Sequence, residues 1–123
     1  MSEDLYQEII IEESKHPQNQ GTLPDATLTL KGGNASCGDL VTIYLKIVDE
    51  KVVDLKWVGS GCAISQASMS LLSQKILSEN ISLKQLQQMT KKEMLSLLGL
   101  TQISPAREKC LMVGLKTIQS GEK

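Results

Sequence analysis

Past Trp57 the spacing of apolar residues along this chain changes, and that change constrains the fold more than any other feature. Up to that point they recur at every second position: Ala26, Leu28 and Leu30, then Val41, Ile43, Leu45 and Ile47, then Val53, Leu55 and Trp57. A period of two belongs to a strand with one face buried. Beyond Gly59-Ser60-Gly61 the residues Ile64, Ala67 and Leu71, with Met69, Leu72 and Ile76, take helical spacing instead. Ala63, Ser65, Ser68 and Ser70 keep that helix slim enough to pack closely. Short links favour an antiparallel meander of the three strands, so the expected class is α+β: a three-stranded antiparallel sheet packed by N- and C-terminal helices.

The remaining segments fill in around that sheet. Ser2 can cap a first helix whose Glu3 and Asp4 suit the positive end of the helix dipole, with Leu5, Tyr6, Ile9, Ile10 and Glu13 on one mixed face and a stop near His16-Pro17. Pro17 to Asp25 reads as loop. Lys31 to Asp39 reads as a glycine-punctuated connection, Leu40 to Val48 as the second strand, Asp49-Glu50-Lys51 as the turn into the third, and Gly59-Ser60-Gly61 as its break. Ser82-Leu83-Lys84-Gln85 and Thr90-Lys91-Lys92-Glu93 have the pattern of capping boxes, Gly99 that of a helix stop, and Ser104-Pro105 that of a cap followed by proline at the first helical position. The helix that follows contains Cys110. No repeat or linker interrupts the 123 residues, which are read as one domain, 1–123, large enough to bury roughly two-thirds of its unfolded surface without a disulfide or metal staple.

Charge and hydropathy exclude some classes of partner. Lys and Arg total 13 against 14 Asp and Glu, a net charge of -1, so the chain lacks the overall basic field with which nucleic-acid binders neutralise phosphates. The longest aliphatic run, Ile9-Ile10-Ile11, falls far short of the ~20 residues that span a bilayer, and Met1-Ser2-Glu3-Asp4 is acidic where a signal peptide is basic. The expectation is a cytoplasmic protein with neither nucleic acid nor membrane as partner.

Three cysteines cannot all pair within one chain, and in a reducing compartment they are thiols, metal ligands or packing residues. With 25 positions from Cys37 to Cys62 and 48 from Cys62 to Cys110, there is no local Cys-x-x-Cys pair. Taken singly, each reads equally well as a small core hydrophobe. Their placement points the other way. Cys37 lies at the start of strand two and Cys62 at the end of strand three, so antiparallel neighbours bring both to one edge of the sheet. Cys62 also opens a helix, where unpaired N–H groups suit an anionic sulfur, and Arg107 and Lys109 flank Cys110. Zinc usually takes four ligands, and Asp39, separated from Cys37 only by Gly38, is the nearest fourth, which makes a Cys3Asp site available. Asp39 reads alternatively as a turn former, Lys109 as an ordinary solvated residue, and His16 as the end of the first helix.

Four stretches in this order resemble a known family. His16-Pro17-Gln18-Asn19-Gln20-Gly21, Cys37-Gly38-Asp39, Gly59-Ser60-Gly61-Cys62-Ala63-Ile64-Ser65 running into Ala67-Ser68, and Arg107-Glu108-Lys109-Cys110 are similar to motifs of the iron-sulfur cluster assembly proteins IscU, SufU and the N-terminal domain of NifU. The resemblance covers nearly the whole chain. It implies that Cys37, Asp39, Cys62 and Cys110 gather at one end of the sheet to hold zinc or a nascent cluster. IscU has His immediately before the third cysteine, whereas Lys109 stands here, as in SufU; the 48 positions between Cys62 and Cys110 are few for the extra segment SufU commonly carries there.

The resemblance also implies function. In a SufU-like protein, Cys37 would accept persulfide sulfur from a cysteine desulfurase at a zinc-holding site, a sulfurtransferase-like role; in an IscU-like protein, Cys110 would be the acceptor, and the site would build a [2Fe-2S] cluster, or hold iron, for delivery to recipient iron-sulfur apoproteins. A non-catalytic interaction domain is the contrasting possibility, with Leu83, Leu86, Met89, Met94 and Leu97 forming an exposed docking face.

Overall fold

The structure, a computed structural model, describes residues 3–34 and 38–120. Its elements run α1 (Glu3–Lys15), β1 (Leu28–Asn34), β2 (Asp39–Val48), β3 (Lys51–Ser60), α2 (Ala63–Glu79), α3 (Leu83–Gln88), α4 (Lys91–Leu97) and α5 (Pro105–Ser120). The strands form an antiparallel sheet in the order β1-β2-β3. Helices α2 and α5 lie against the sheet, α1 packs on α2, and α3 and α4 pack around α5. No helix among the described residues is long and apolar enough to cross a membrane.

The core is the layer between sheet and helices. Val41, Ile43 and Leu45 from β2 and Leu55 and Trp57 from β3 meet Ile64, Ala67, Met69, Leu72 and Ile76 of α2 and Leu111 and Leu115 of α5, all buried. β2 and β3 are joined by Asp49 and Glu50, both left-handed with φ of 52° and 68°, so Val48 pairs directly with Lys51. Two left-handed residues match the right-handed twist of the flanking strands.

Several boundaries depart from those the sequence predicts. β1 continues through Gly32 and Gly33 to Asn34, residues expected to be loop, because α5 lies directly on that stretch. A Cβ on Gly32 would collide with the Thr117 side chain of α5, so glycine here serves close packing of a helix on a strand. β3 likewise runs through Gly59 and Ser60, and the break falls at Gly61. Inside β3 the expected alternation fails at one point: Val52 is buried and Val53 exposed. Lys46 pairs with Asp54 and Ile47 with Val52, so Val53 is an extra residue in a bulge that shifts the facing by one.

The helical half follows its caps more closely. Ser82 and Gln85 form the reciprocal capping box at α3, and Pro105 opens α5. Thr90 occupies the N-cap of α4 but makes no side-chain cap bond, so the expected box there does not close. Leu86, Met89 and Met94 are buried and Leu83 and Leu97 pack against the core, so they do not form the exposed docking face that the contrasting interaction-domain reading needed. The expected cap Ser2 lies outside the described residues.

The loop after α1 is a clasp. Trp57 Nε1–H donates to Gln18 O at 2.8 Å, Trp57 N–H to Asn19 O at 3.1 Å and Gly21 N–H to Trp57 O at 2.9 Å, tying Gln18–Gly21 along the outer edge of β3. Across from it, the Glu13 carboxylate accepts from Ser70 Oγ at 2.6 Å and Gln74 Nε2 at 2.9 Å, and Asn19 Nδ2 donates to Ser73 Oγ at 2.9 Å. Ser70 of α2 thus holds α1 by a hydrogen bond, and Ser73 holds the loop that follows it.

Because Gly32 faces Thr117, Gly32→Ala is expected to cost about 1–3 kcal/mol by overpacking. Thr117→Ala in the same chain should return part of that loss, a coupling that urea denaturation of the two single variants and the double variant will measure.

Candidate metal centre

Asp39 opens β2 on the same side of the strand as Val41, Ile43 and Leu45, and so its side chain points into the helix-covered face of the sheet. It is 1% exposed, an unusual position for a carboxylate. Gly38, immediately before it, has φ of 72° with open space around it, so the chain turns sharply into the strand. Opposite, β3 ends where Leu40 pairs with Ser60, and Cys62 follows as the N-cap of α2 with extended backbone and no side-chain cap bond. Cys110 arrives from the second turn of α5 and is buried, whereas Cys62 is exposed.

Asp39, Cys62 and Cys110 come together: one carboxylate oxygen and the two Sγ atoms all lie within 4.8 Å of one another. Tetrahedral zinc at ordinary Zn–S length sets two sulfurs about 3.8 Å apart, so this spacing suits ligands of a single ion. The two oxygens of Asp39 differ in their surroundings. Oδ1 accepts from the Cys62 N–H at 3.3 Å and from Ser65 Oγ at 3.4 Å. Oδ2 is buried with no hydrogen-bond partner among the described residues. A buried polar atom left unpaired costs ~1–3 kcal/mol, and more when it carries charge, so it calls for a cation at that point. Two soft sulfurs and one hard oxygen form a donor set that zinc accepts readily, and thiolates also carry iron-sulfur clusters.

Of the four ligands expected, these three are brought together, while Cys37 lies outside the described residues. His16 stands at the end of α1, with its N–H on Glu12 O at 3.0 Å, and is not in the cluster. Arg107 and Lys109 are exposed on α5 beside Cys110. Two contributors went unrecognised in the sequence. A Cβ on Gly61 would strike both Asp39 Oδ1 and Ser65 Oγ, so the carboxylate reaches its place only because residue 61 has no side chain. Ser65 is buried against Asp39. Its signal was its position, three residues after a cysteine at a helix cap, from which a side chain reaches back to the cap.

Known proteins resemble this chain in sequence and fold. The pattern of the family described as NifU-like N terminal domain matches residues 5–123. An iron-sulfur cluster assembly scaffold protein IscU of Thermotoga maritima is 36% identical over 97% of this chain and 93% of its own length. A zinc-dependent sulfurtransferase SufU of Bacillus subtilis is 36% identical over 63% of this chain and 52% of its own length. Among solved structures, a Fervidobacterium islandicum protein described as a scaffold for the SUF system superposes with a TM-score of 0.81 at 28% identity, covering 98% of both chains. A NifU-like N-terminal structure from Brucella abortus, at 21% identity and a TM-score of 0.76 over 94% of this chain and 90% of its own, shares the fold.

The unpartnered oxygen implies that one substitution affects two properties unequally. Asp39→Ala should leave the stability of metal-stripped protein within about 1 kcal/mol of wild type, because the desolvated carboxylate goes as its two hydrogen bonds go. The same variant should lose most of the rise in melting temperature that added zinc gives wild type. Thermal melts with zinc and with chelator compare the two directly.

Proposed function

This chain belongs to the NifU-like N-terminal domain family, and from that membership and the Asp39–Cys62–Cys110 cluster we propose that it serves iron-sulfur cluster assembly by accepting persulfide sulfur from a cysteine desulfurase. The ligands in this reading are Cys37, Asp39, Cys62 and Cys110 around zinc. The observation that carries it is the buried Asp39 carboxylate, which has one oxygen within 4.8 Å of two cysteine sulfurs and whose Oδ2 has no hydrogen-bond partner among the described residues. Zinc bound there would keep the thiols deprotonated and shield them from oxidation.

The chemistry is thiol exchange. A thiolate of this chain attacks the outer sulfur of the desulfurase persulfide; a new S–S bond forms, the old one breaks, and the desulfurase sulfur leaves as thiolate, with no net oxidation. The acceptor has to reach a partner. Cys110 is 6% exposed, which disfavours it as first acceptor, and Cys62 is anchored at a helix cap. Resemblance to SufU nominates Cys37, which is joined to Asp39 through Gly38, whose surroundings are open. Asp39, Cys62 and Cys110 then form the fixed base from which the acceptor departs. The sulfurtransferase name of the Bacillus subtilis relative supports this role.

The second reading is a scaffold on which a [2Fe-2S] cluster, as cargo, is built and passed to recipient apoproteins. It is favoured by the cluster's own preference for thiolates and by the Thermotoga maritima relative, which matches over nearly its whole length. Either role suits a reducing, cytoplasmic setting.

Anaerobic native mass spectrometry of gently purified protein separates the readings. The expected result is about one zinc per chain, lost in Cys62→Ser, and faster alanine production by a partner desulfurase that Cys37→Ser abolishes. Two irons and two sulfides per chain, with unchanged desulfurase turnover, would instead establish the scaffold.

A further inference from the structure

The Asp39 carboxylate lies with the two sulfurs, its Oδ1 accepts from the Cys62 N–H and the Ser65 hydroxyl, and its Oδ2 has no hydrogen-bond partner among the described residues. We propose that Ser65 is a positioning residue of the metal site: together with the Cys62 N–H its hydroxyl fixes Oδ1 of Asp39 and so commits Oδ2 to the ion. This rests on the Cys and Asp site proposed above.

Ser65 is the third residue of α2 and is 4% exposed. Its single hydroxyl proton has two acceptors, Cys62 O at 2.9 Å and Asp39 Oδ1 at 3.4 Å. Cys62 O already receives the first backbone bond of α2, from Gln66 N–H at 3.1 Å, so it does not depend on the hydroxyl. Among the described residues Oδ1 has otherwise only the 3.3 Å bond from Cys62 N–H. Both acceptors belong to ligand residues, one through its peptide and the other through its carboxylate, and the hydroxyl therefore links the two ligands that come from different elements. The link is close because Gly61 is side-chain-free at the point where a Cβ would strike both partners.

A carboxylate with neither oxygen fixed rotates about its Cβ–Cγ bond and offers an ion either oxygen or both. Holding one oxygen removes that freedom and presents the other at a set distance from Cys62 and Cys110. Partners of this kind, behind the ligands, typically change metal affinity by about 10–100-fold when removed.

A purely structural role has a ready comparison in the same helix. Ser68 is 1% exposed and donates to Ile64 O at 2.6 Å, the same kind of local back-bond, without an Asp39 contact. If Ser65 only tied α2 together, the two serines would behave alike.

The test titrates cobalt(II) into metal-stripped full-length protein, with sulfur-to-cobalt absorbance and chelator competition as readouts, and urea melts to establish that each variant is folded. Ser65→Ala is expected to lose about 10- to 100-fold in cobalt affinity. In an Asp39→Ala background the same change should cost no more than about twofold, because a residue acting through Asp39 has nothing left to act on. Ser68→Ala should stay within about twofold of wild type. Wild-type affinity in Ser65→Ala, or an equal loss in both backgrounds, overturns the proposal while leaving the site intact, provided that binding still depends on Cys62 and Asp39. If Cys62→Ser binds cobalt as wild type does, the site itself fails and the role of Ser65 falls with it.

Discussion

The pairing of β2 with β3 is the constraint on which the rest depends. Antiparallel strands joined by a two-residue turn must return the chain to where it began, and the register that pairs Leu40 with Ser60 sets the first residue of β2 beside the residues that leave β3. Asp39 and Cys62 meet for that reason. α5 then closes the third side, because its packing on β1 and β2 carries Cys110 to the same end of the sheet. The three donors come from a strand, a helix cap and a helix interior, and none of the three elements could hold an ion alone.

That convergence has a local electrostatic counterpart. α2 has neither a side-chain cap at Cys62 nor an acidic residue in its first turn. The negative group that a helix of this length favours at its amino end is provided instead from across the sheet, by Asp39 accepting the Cys62 N–H. One carboxylate thus serves a helix terminus through Oδ1 and lies with the two sulfurs at the same end of the sheet. It is buried at a strand position where the pattern calls for an apolar residue, which is the kind of local conflict that functional sites tolerate.

Most of the fold was legible in the sequence because the change of period from two to 3.6 marks where sheet gives way to helix, and Ser82, Gly99 and Pro105 mark helix ends by mechanisms that operate within a few residues. What was not legible depends on contacts distant in sequence. Gly32 and Gly33 read as loop until α5 is laid across them, and the bulge at Val53 leaves no trace in an alternation that looks regular through Val53, Leu55 and Trp57. Edge convergence suggested that Cys37 and Cys62 would approach each other, and only the second is among the described residues. Asp39 carried a signal that was open to reading: it shares the parity of Val41, Ile43 and Leu45, so a strand beginning one residue earlier points its carboxylate inward. Ser65 and Gly61 carried almost none, since their roles exist only once Asp39 is in place.

The clasp around Trp57 bears on how the sheet meets other chains. A three-stranded sheet has two outer edges, each a row of backbone groups able to recruit a foreign strand. On β3 that row is largely occupied from within: Asn19 and Gly21 bond to Trp57, and farther along Val52 N–H donates to Ile81 O while Lys51 bridges to Ser82. Lateral growth is left to β1, whose far half is Lys31-Gly32-Gly33-Asn34, a stretch with a charge and two glycines and little apolar surface for a newcomer to bury. The sheet is thereby guarded against self-templated polymerisation on one side by the chain's own loops and on the other by the poverty of what it presents.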